Sequence, residues 1–174
     1  MEPTLPVLFL DVDGPLNPWM AKPHRRPAGY TTLRMRPTGW EPPRPPLRVW
    51  LNPDHGPLLM GLGCRLIWAT TWQAEANAWI APVLGLPELP VVRWPQMHRR
   101  DPEGVHWKTR HLVAVAAGRP FAWVDDEIGP RDTAWIARHH TGAALPYRVD
   151  PATGLRPDDF AALREWAAGR TAGA

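Results

Sequence analysis

Three short runs of the chain are apolar almost throughout, and each closes on polar residues. VLFL (7–10) leads into Asp11-Val12-Asp13-Gly14, RLIWA (65–69) into Thr70-Thr71, and FAWV (121–124) into Asp125-Asp126-Glu127. Apolarity without alternation is the mark of a strand buried on both faces, as in a parallel sheet covered by helices. Residues 145–149 and 91–94 read as further, weaker strands. Helical patterns separate these runs. Asn52-Pro53 looks like a cap with proline in the first turn, opening a helix through Met60. Thr70 and Gln73 fit a capping box, after which Trp72, Ala76, Trp79, Ile80 and Val83 share one face, with Pro82 interrupting its last turn. Residues 106–117, closed by Gly118, residues 130–140 with Trp135 and Ile136 inward, and residues 158–168 with Phe160 and Leu163 buried complete the set. Strands alternating with helices predict an α/β fold, a doubly wound, Rossmann-like parallel sheet.

Residues 15–50 break the pattern. Thirteen of the 23 prolines lie in the first 57 residues, and PPRPP (42–46) suits neither a helix nor a central strand. The segment reads as a Pro/Arg-rich insertion after the first strand, a hairpin around residues 30–36 followed by a stiff polyproline-like connection. It carries Lys22, Arg25, Arg26, Arg34, Arg36, Arg44 and Arg48 against one acid, Glu41. With 174 residues, the whole chain is expected to form a single domain, 1–174, with 15–50 as a small insertion or minimal cap.

Composition narrows the function. The net charge of +3 is too small to imply nucleic acid by itself but suits an anionic small molecule. A single cysteine, Cys64, excludes an internal disulfide framework and a cysteine-rich zinc site, and its position before a buried strand makes it inert core. The seven histidines show no ligand spacing. The N-terminal residues lack a basic leader region, and no run approaches the ~20 apolar residues that cross a bilayer, so a cytoplasmic protein without membrane partners is expected. Of 11 tryptophans, Trp68, Trp79, Trp123, Trp135 and Trp166 fall on inward faces; Trp19, Trp40, Trp72 and Trp94 fall in loops or near strand ends, where one could stack on a base or sugar. Only Lys22 and Lys108 are lysines; the other basic residues are arginine.

Ligands of open parallel sheets bind beyond the carboxyl ends of the strands, and that is where the acids lie. A lone acid there is usually a turn or helix cap. Five at the ends of two apolar strands, with Thr70 and Lys108 suitably spaced, point instead to a hard cation among them. Mg²⁺ takes carboxylates, waters and phosphate oxygens and is the natural occupant.

At these residues the chain resembles the haloacid dehalogenase (HAD) superfamily. VLFLDVDGPLN is similar to its first motif, GCRLIWATT to the second, the Lys of HWKTRHL to the third and FAWVDDE to the fourth in its double-aspartate form; the set spans Asp11 to Asp126 in order. WATTW and WVDDE are similar to small bacterial members. The resemblance implies strand order 5-4-1-2-3 and a Mg²⁺-dependent phosphomonoester hydrolase. Asp11 would be the nucleophile forming an aspartyl-phosphate, and Asp13 the general acid and base. Thr70 would bind the phosphoryl group, aided by N–H groups of the helix it caps, with Thr71 able to take its place. Lys108 would neutralise charge. Asp125 and Asp126 would hold Mg²⁺ with Asp11 and the Asp13 carbonyl. Asp13 favours phosphate chemistry over carbon–halogen cleavage, because the namesake dehalogenases lack it.

The expected partner is a phosphorylated small molecule, a nucleotide or a phosphorylated nucleic-acid end. Arg25, Arg26, Arg34 or Arg36 of the insertion could grip a second phosphate or carboxylate, although a solvated loop explains them equally well. The rival reading is a catalytically silent HAD-like domain that binds a phosphorylated ligand, nucleic acid or a protein partner.

Overall fold

Side chains alternate along a strand, and in β1 (Val7–Leu10) both sets are apolar. In the computed structural model, which describes residues 5–171, Leu8 and Leu10 enter one core while Val7 and Phe9 enter another. This strand is central. β1 pairs in parallel with β4 (Arg65–Trp68) on one side and β5 (Phe121–Asp125) on the other, and β5 pairs in parallel with β6 (Ala144–Arg148), giving the order β4-β1-β5-β6. Beyond β4, Val92 N donates to Trp68 O, and Trp68 N donates to Pro90 O, both at 2.8 Å. Including that segment, the order is the expected 5-4-1-2-3. The expected strand at 91–94 shrinks to a bridge at Val91, since Pro90 and Pro95 flank it and proline cannot donate to a ladder.

Helices cover both faces. The core that receives Leu8 and Leu10 is completed by α1 (His55–Met60), α2 (Glu75–Trp79), α3 (Ala81–Leu84) and α6 (Pro157–Thr171) through Leu59, Ala76, Leu84 and Phe160. The core around Val7 and Phe9 is completed by α4 (Thr109–Ala116) and α5 (Pro130–His139) through Leu112, Ala116, Trp135 and Ile136. The result is the doubly wound α/β fold. No helix among the described residues is long and apolar enough to cross a membrane.

Several local expectations change. The helix expected from Thr70 to Val83 is two short helices that break at Ile80, and Pro82 sits in the first turn of α3, where its missing N–H costs nothing. The capping box is absent: Gln73 adopts a positive φ of 50°, and its amide donates toward Met97 Sδ. α4 begins at Thr109 rather than 106, after a turn that holds Lys108. Trp79 and Trp166 are only half-buried, whereas Trp68, Trp123 and Trp135 are core. Cys64 packs half-buried against the larger core, and burial pushes its thiol up to about 11, which leaves it inert.

The insertion differs most. Its hairpin pairs β2 (Thr31–Met35) with β3 (Leu47–Leu51), Met35 opposite Leu47 and Thr31 opposite Leu51. The proline run therefore lies inside the hairpin loop rather than after the hairpin. Trp40 Nε1 donates to Pro45 O and Arg36 Nη1 to Arg44 O, closing that loop. Met35, Val49 and Leu51 join the main core, so the ribbon is anchored by burial.

Candidate active site

β1 and β5 are adjacent and parallel, so their carboxyl ends deliver Asp11, Asp125 and Asp126 to one place. Carboxylate oxygens of these three buried residues lie within 4.8 Å of one another. Asp125, the last residue of β5, is fully buried; its Oδ1 accepts from Glu127 N at 2.9 Å and its Oδ2 from Trp123 Nε1 at 3.1 Å. Asp11 Oδ1 accepts from Val12 N at 2.7 Å. Lys108 Nζ donates to both Asp11 Oδ2 and Asp125 Oδ2, each at 2.7 Å, and the lysine is 1% exposed.

Burial alone would lower the Lys108 pKa, but Asp11 and Asp125 override it and hold the ammonium charged, above the usual lysine range. Asp11 is raised well above the ordinary carboxylate value by burial and by Asp125, with Lys108 opposing. Asp126 is pushed up to about 6, chiefly by burial, against the indole N–H of Trp19 that donates to its Oδ2 at 3.1 Å. Three carboxylates against one ammonium leave negative charge in excess. Hard oxygen donors crowded in this way suit a small divalent cation, so Asp11, Asp125 and Asp126 fit Mg²⁺.

The turn after β1 is shaped by its neighbours. Gly14 has φ +93°, and a Cβ there would lie 2.5 Å from Asp126 Cγ. Glycine is required both for the backbone and for the close passage of Asp126. Asp13 is half-buried; its Oδ1 accepts from Asn17 Nδ2 at 2.7 Å and its Oδ2 from Trp72 Nε1 at 2.9 Å. The Asp13 side chain is outside the three-carboxylate cluster.

With this geometry goes a family match. A model of the HAD domain in Swiss Army Knife RNA repair proteins matches residues 7–160, from β1 into α6. The chain belongs to this HAD family. No curated protein matches it.

The remaining expected residues of this HAD domain lie as follows. Thr70 is buried at the exit of β4, where its Oγ1 accepts from Trp72 N at 3.3 Å, and Thr71 beside it is exposed. No helix starts at Thr70, because α2 begins only at Glu75; the N–H groups near Thr70 belong to a turn. Arg25, Arg26 and Arg34 are on the insertion, with Arg25 exposed, Arg26 donating to Thr32 Oγ1 at 3.0 Å and Arg34 paired across the ribbon with Arg48. None of these three arginines hydrogen-bonds or ion-pairs with the acid cluster among the described residues. Glu127 turns away to His106 Nε2, 3.1 Å distant, which lowers its pKa.

Four contributors to this HAD site were not legible as such. Trp19, Trp72 and Trp123 act as N–H donors to Asp126, Asp13 and Asp125, and their positions near strand ends suggested stacking or core roles only. Buried Asp132 in α5 accepts from His106 N at 2.7 Å, Thr109 Oγ1 at 2.5 Å and Gly129 N at 2.8 Å. It ties the turn that carries Lys108 to α5. An acid in the first turn of a helix reads from sequence as a cap, and nothing in the sequence distinguishes this one.

Proposed function

We propose that this chain is a Mg²⁺-dependent phosphomonoester hydrolase acting through an aspartyl-phosphate on Asp11, with a phosphorylated nucleic-acid end or nucleotide as substrate. The observation that carries the reading is the buried Lys108 ammonium, 2.7 Å from Asp11 and from Asp125. A cation withdrawn from water on such terms is costly for stability alone, and it suits the charge neutralisation that phosphoryl transfer requires. The substrate class is supported by membership in a family described from RNA repair proteins and by Trp19, 53% exposed at the rim beside Asp126.

The chain's own residues then act in sequence. Lys108 favours the ionised form of Asp11, against burial and Asp125, and balances charge on the transferring oxygens. An Asp11 carboxylate oxygen attacks phosphorus in line, forming the aspartyl-phosphate as the bond to the leaving oxygen breaks. Asp13 protonates that oxygen, and Asn17 and Trp72 orient its carboxyl. Asp13 then takes a proton from the water that attacks the phosphoryl group, and cleavage of the phosphorus–Asp11 bond restores the carboxylate. Thr70 lines the phosphoryl position. Bound Mg²⁺, held by Asp11, Asp126 and Asp125, supplies further charge neutralisation.

The test is phosphate release from sugar phosphates, nucleoside monophosphates and end-phosphorylated oligonucleotides, with Mg²⁺ and with chelator, for wild type and Asp11→Asn. Metal-dependent release that vanishes in Asp11→Asn is expected. Release that survives the substitution removes Asp11 from the chemistry, and silence across the panel favours a domain that only binds.

A further inference from the structure

Beside the acid cluster, residues 93–107 arch from the edge of the sheet to Lys108. The arch is fastened at the rim: Trp94 Nε1 donates to Thr70 O at 3.0 Å, and Lys108 Nζ lies 5.6 Å from the centre of the Trp107 ring. Trp107 is the hub of an aromatic group, with ring centroids 4.9 Å from Trp94 and 5.1 Å from His98; both tryptophans are half-buried and His98 is exposed. His98 holds a left-handed φ of 57°, a conformation that persists where the surroundings over-determine it.

The charge on this arch is unbalanced. Its acids, Asp101 and Glu103, are both engaged by Arg110, which makes hydrogen bonds of 2.6 and 3.1 Å to Asp101 and a closer one to Glu103. Arg93, Arg99 and Arg100 are exposed and in no ion pair among the described residues; Arg99 makes one long hydrogen bond, 3.4 Å to Gln96 Oε1. Arg99, Arg100 and Trp107 line a cavity of about 560 Å³ with His111 and Gln96. By contrast, four of the six arginines of the insertion are spent on the ribbon itself: Arg26 on Thr32, Arg36 on Arg44 O, Arg44 on Gly39 O and Arg48 over the Trp50 ring at 4.1 Å, which leaves Arg25 and Arg34 exposed there, over no aromatic ring among the described residues.

Exposed arginines outside ion pairs, interleaved with partly exposed rings, are how proteins grip single-stranded nucleic acid: guanidinium groups track phosphates while bases stack on the rings. We infer that residues 93–111, rather than the arginine-rich insertion, form the docking surface for the single-stranded nucleotides adjoining the phosphorylated end. The inference rests on the nucleic-acid reading of the site and names the surface that serves it. A strand whose terminal phosphate sits at Asp11 meets Trp107 next, its ring centre 5.6 Å from Lys108 Nζ, and then His98.

The test is fluorescence anisotropy of a labelled, end-phosphorylated 12-nucleotide single strand bound to the full chain in chelator, across a salt series. Wild type is expected to bind with affinity that falls steeply with salt. Arg99→Ala/Arg100→Ala should weaken binding at least tenfold and flatten the slope of log K against log salt by about 1.4, at ~0.7 per phosphate contact. Arg25→Ala/Arg26→Ala should bind as wild type, and an unchanged thermal midpoint checks folding of both. The inference is overturned if wild type does not bind, if binding ignores salt, if Arg99→Ala/Arg100→Ala binds normally, or if the insertion variant carries the loss. Phosphate release from a small phosphomonoester, measured in parallel on wild type, separates the two proposals. Release without strand binding sinks this surface alone, and strand binding without release sinks the hydrolase alone.

Discussion

Lys108 Nζ lies 2.7 Å from Asp11 Oδ2 although 97 residues of chain separate them. The contact exists because β1 and β5 are neighbours and because Asp132 fastens the turn that carries the lysine. Removing the cation leaves Asp11 and Asp125 facing one another without compensation. Lys108→Ala should therefore lower phosphate release by about a thousandfold or more and destabilise the fold by about 3–5 kcal/mol. Steady-state assays and urea unfolding check this; a loss below about tenfold in rate would reduce Lys108 to a structural residue.

Gly14 allows Asp126 to pass within contact of its Cα. Gly14→Ala places a methyl group 2.5 Å from Asp126 Cγ at a backbone φ of +93°. The expected outcome is displacement of Asp126, weaker Mg²⁺ binding by calorimetry and a rate loss of about a hundredfold, together with a strain cost of about 1–3 kcal/mol. Unaltered Mg²⁺ affinity would show that Asp126 is not a ligand.

Asp126 titrates near 6 rather than at its ordinary 3.8 because it is buried. The folded state binds its proton more tightly, so the stability it contributes is present below about pH 4 and is lost as pH rises through about 6. Asp11 shifts in the same direction. In chelator, Asp126→Asn should thus melt at a higher temperature than wild type at pH 7.5 and nearly with it at pH 4. Mg²⁺ should stabilise wild type more at pH 7.5 than at pH 5. Thermal melts at these pH values, with and without metal, decide the point.

His55 shows the opposite sign. It is 4% exposed, packed edge-on against Tyr30 and Phe160, and its Nδ1 has no hydrogen-bond partner among the described residues. Burial lowers its pKa from 6.5 to about 4. Between these values the unfolded chain takes up a proton and the folded chain does not, so stability falls as pH falls through the window. From pH 7.5 to 4.5 wild type should lose about 2–3 kcal/mol more than His55→Phe, measured by denaturant unfolding. Equal losses would place the His55 ring in contact with water.

The central strands were legible because burial on both faces leaves one signature, apolarity without alternation, and their order was implied by the family resemblance that the motifs at their ends carry. The acids were legible for the same reason: Asp11 and Asp125 stop apolar runs that would otherwise continue. Mispredictions cluster where pairing is non-local. The hairpin around 30–36 finds its partner at 47–51 because Val49 and Leu51 have a core to enter, and no local pattern places PPRPP in the loop between them. Thr70 promised a helix cap, yet the chain turns there so that the Trp72 indole can reach Asp13.

By itself, then, the sequence determined which segments are buried strands and which carboxylates stand at their carboxyl ends, since both follow from short-range runs of residue type. Tertiary structure alone decided that Lys108 is withdrawn between Asp11 and Asp125, that three indoles donate to Asp13, Asp125 and Asp126, and that Arg93, Arg99 and Arg100 stand exposed and outside ion pairs among the described residues. Apart from that between Trp123 and Asp125, which are two residues apart on one strand, these contacts join segments distant in the chain. Their existence depends on which strands are neighbours and how turns are held, and hydrophobic patterning encodes the burial of a segment without naming its polar partners.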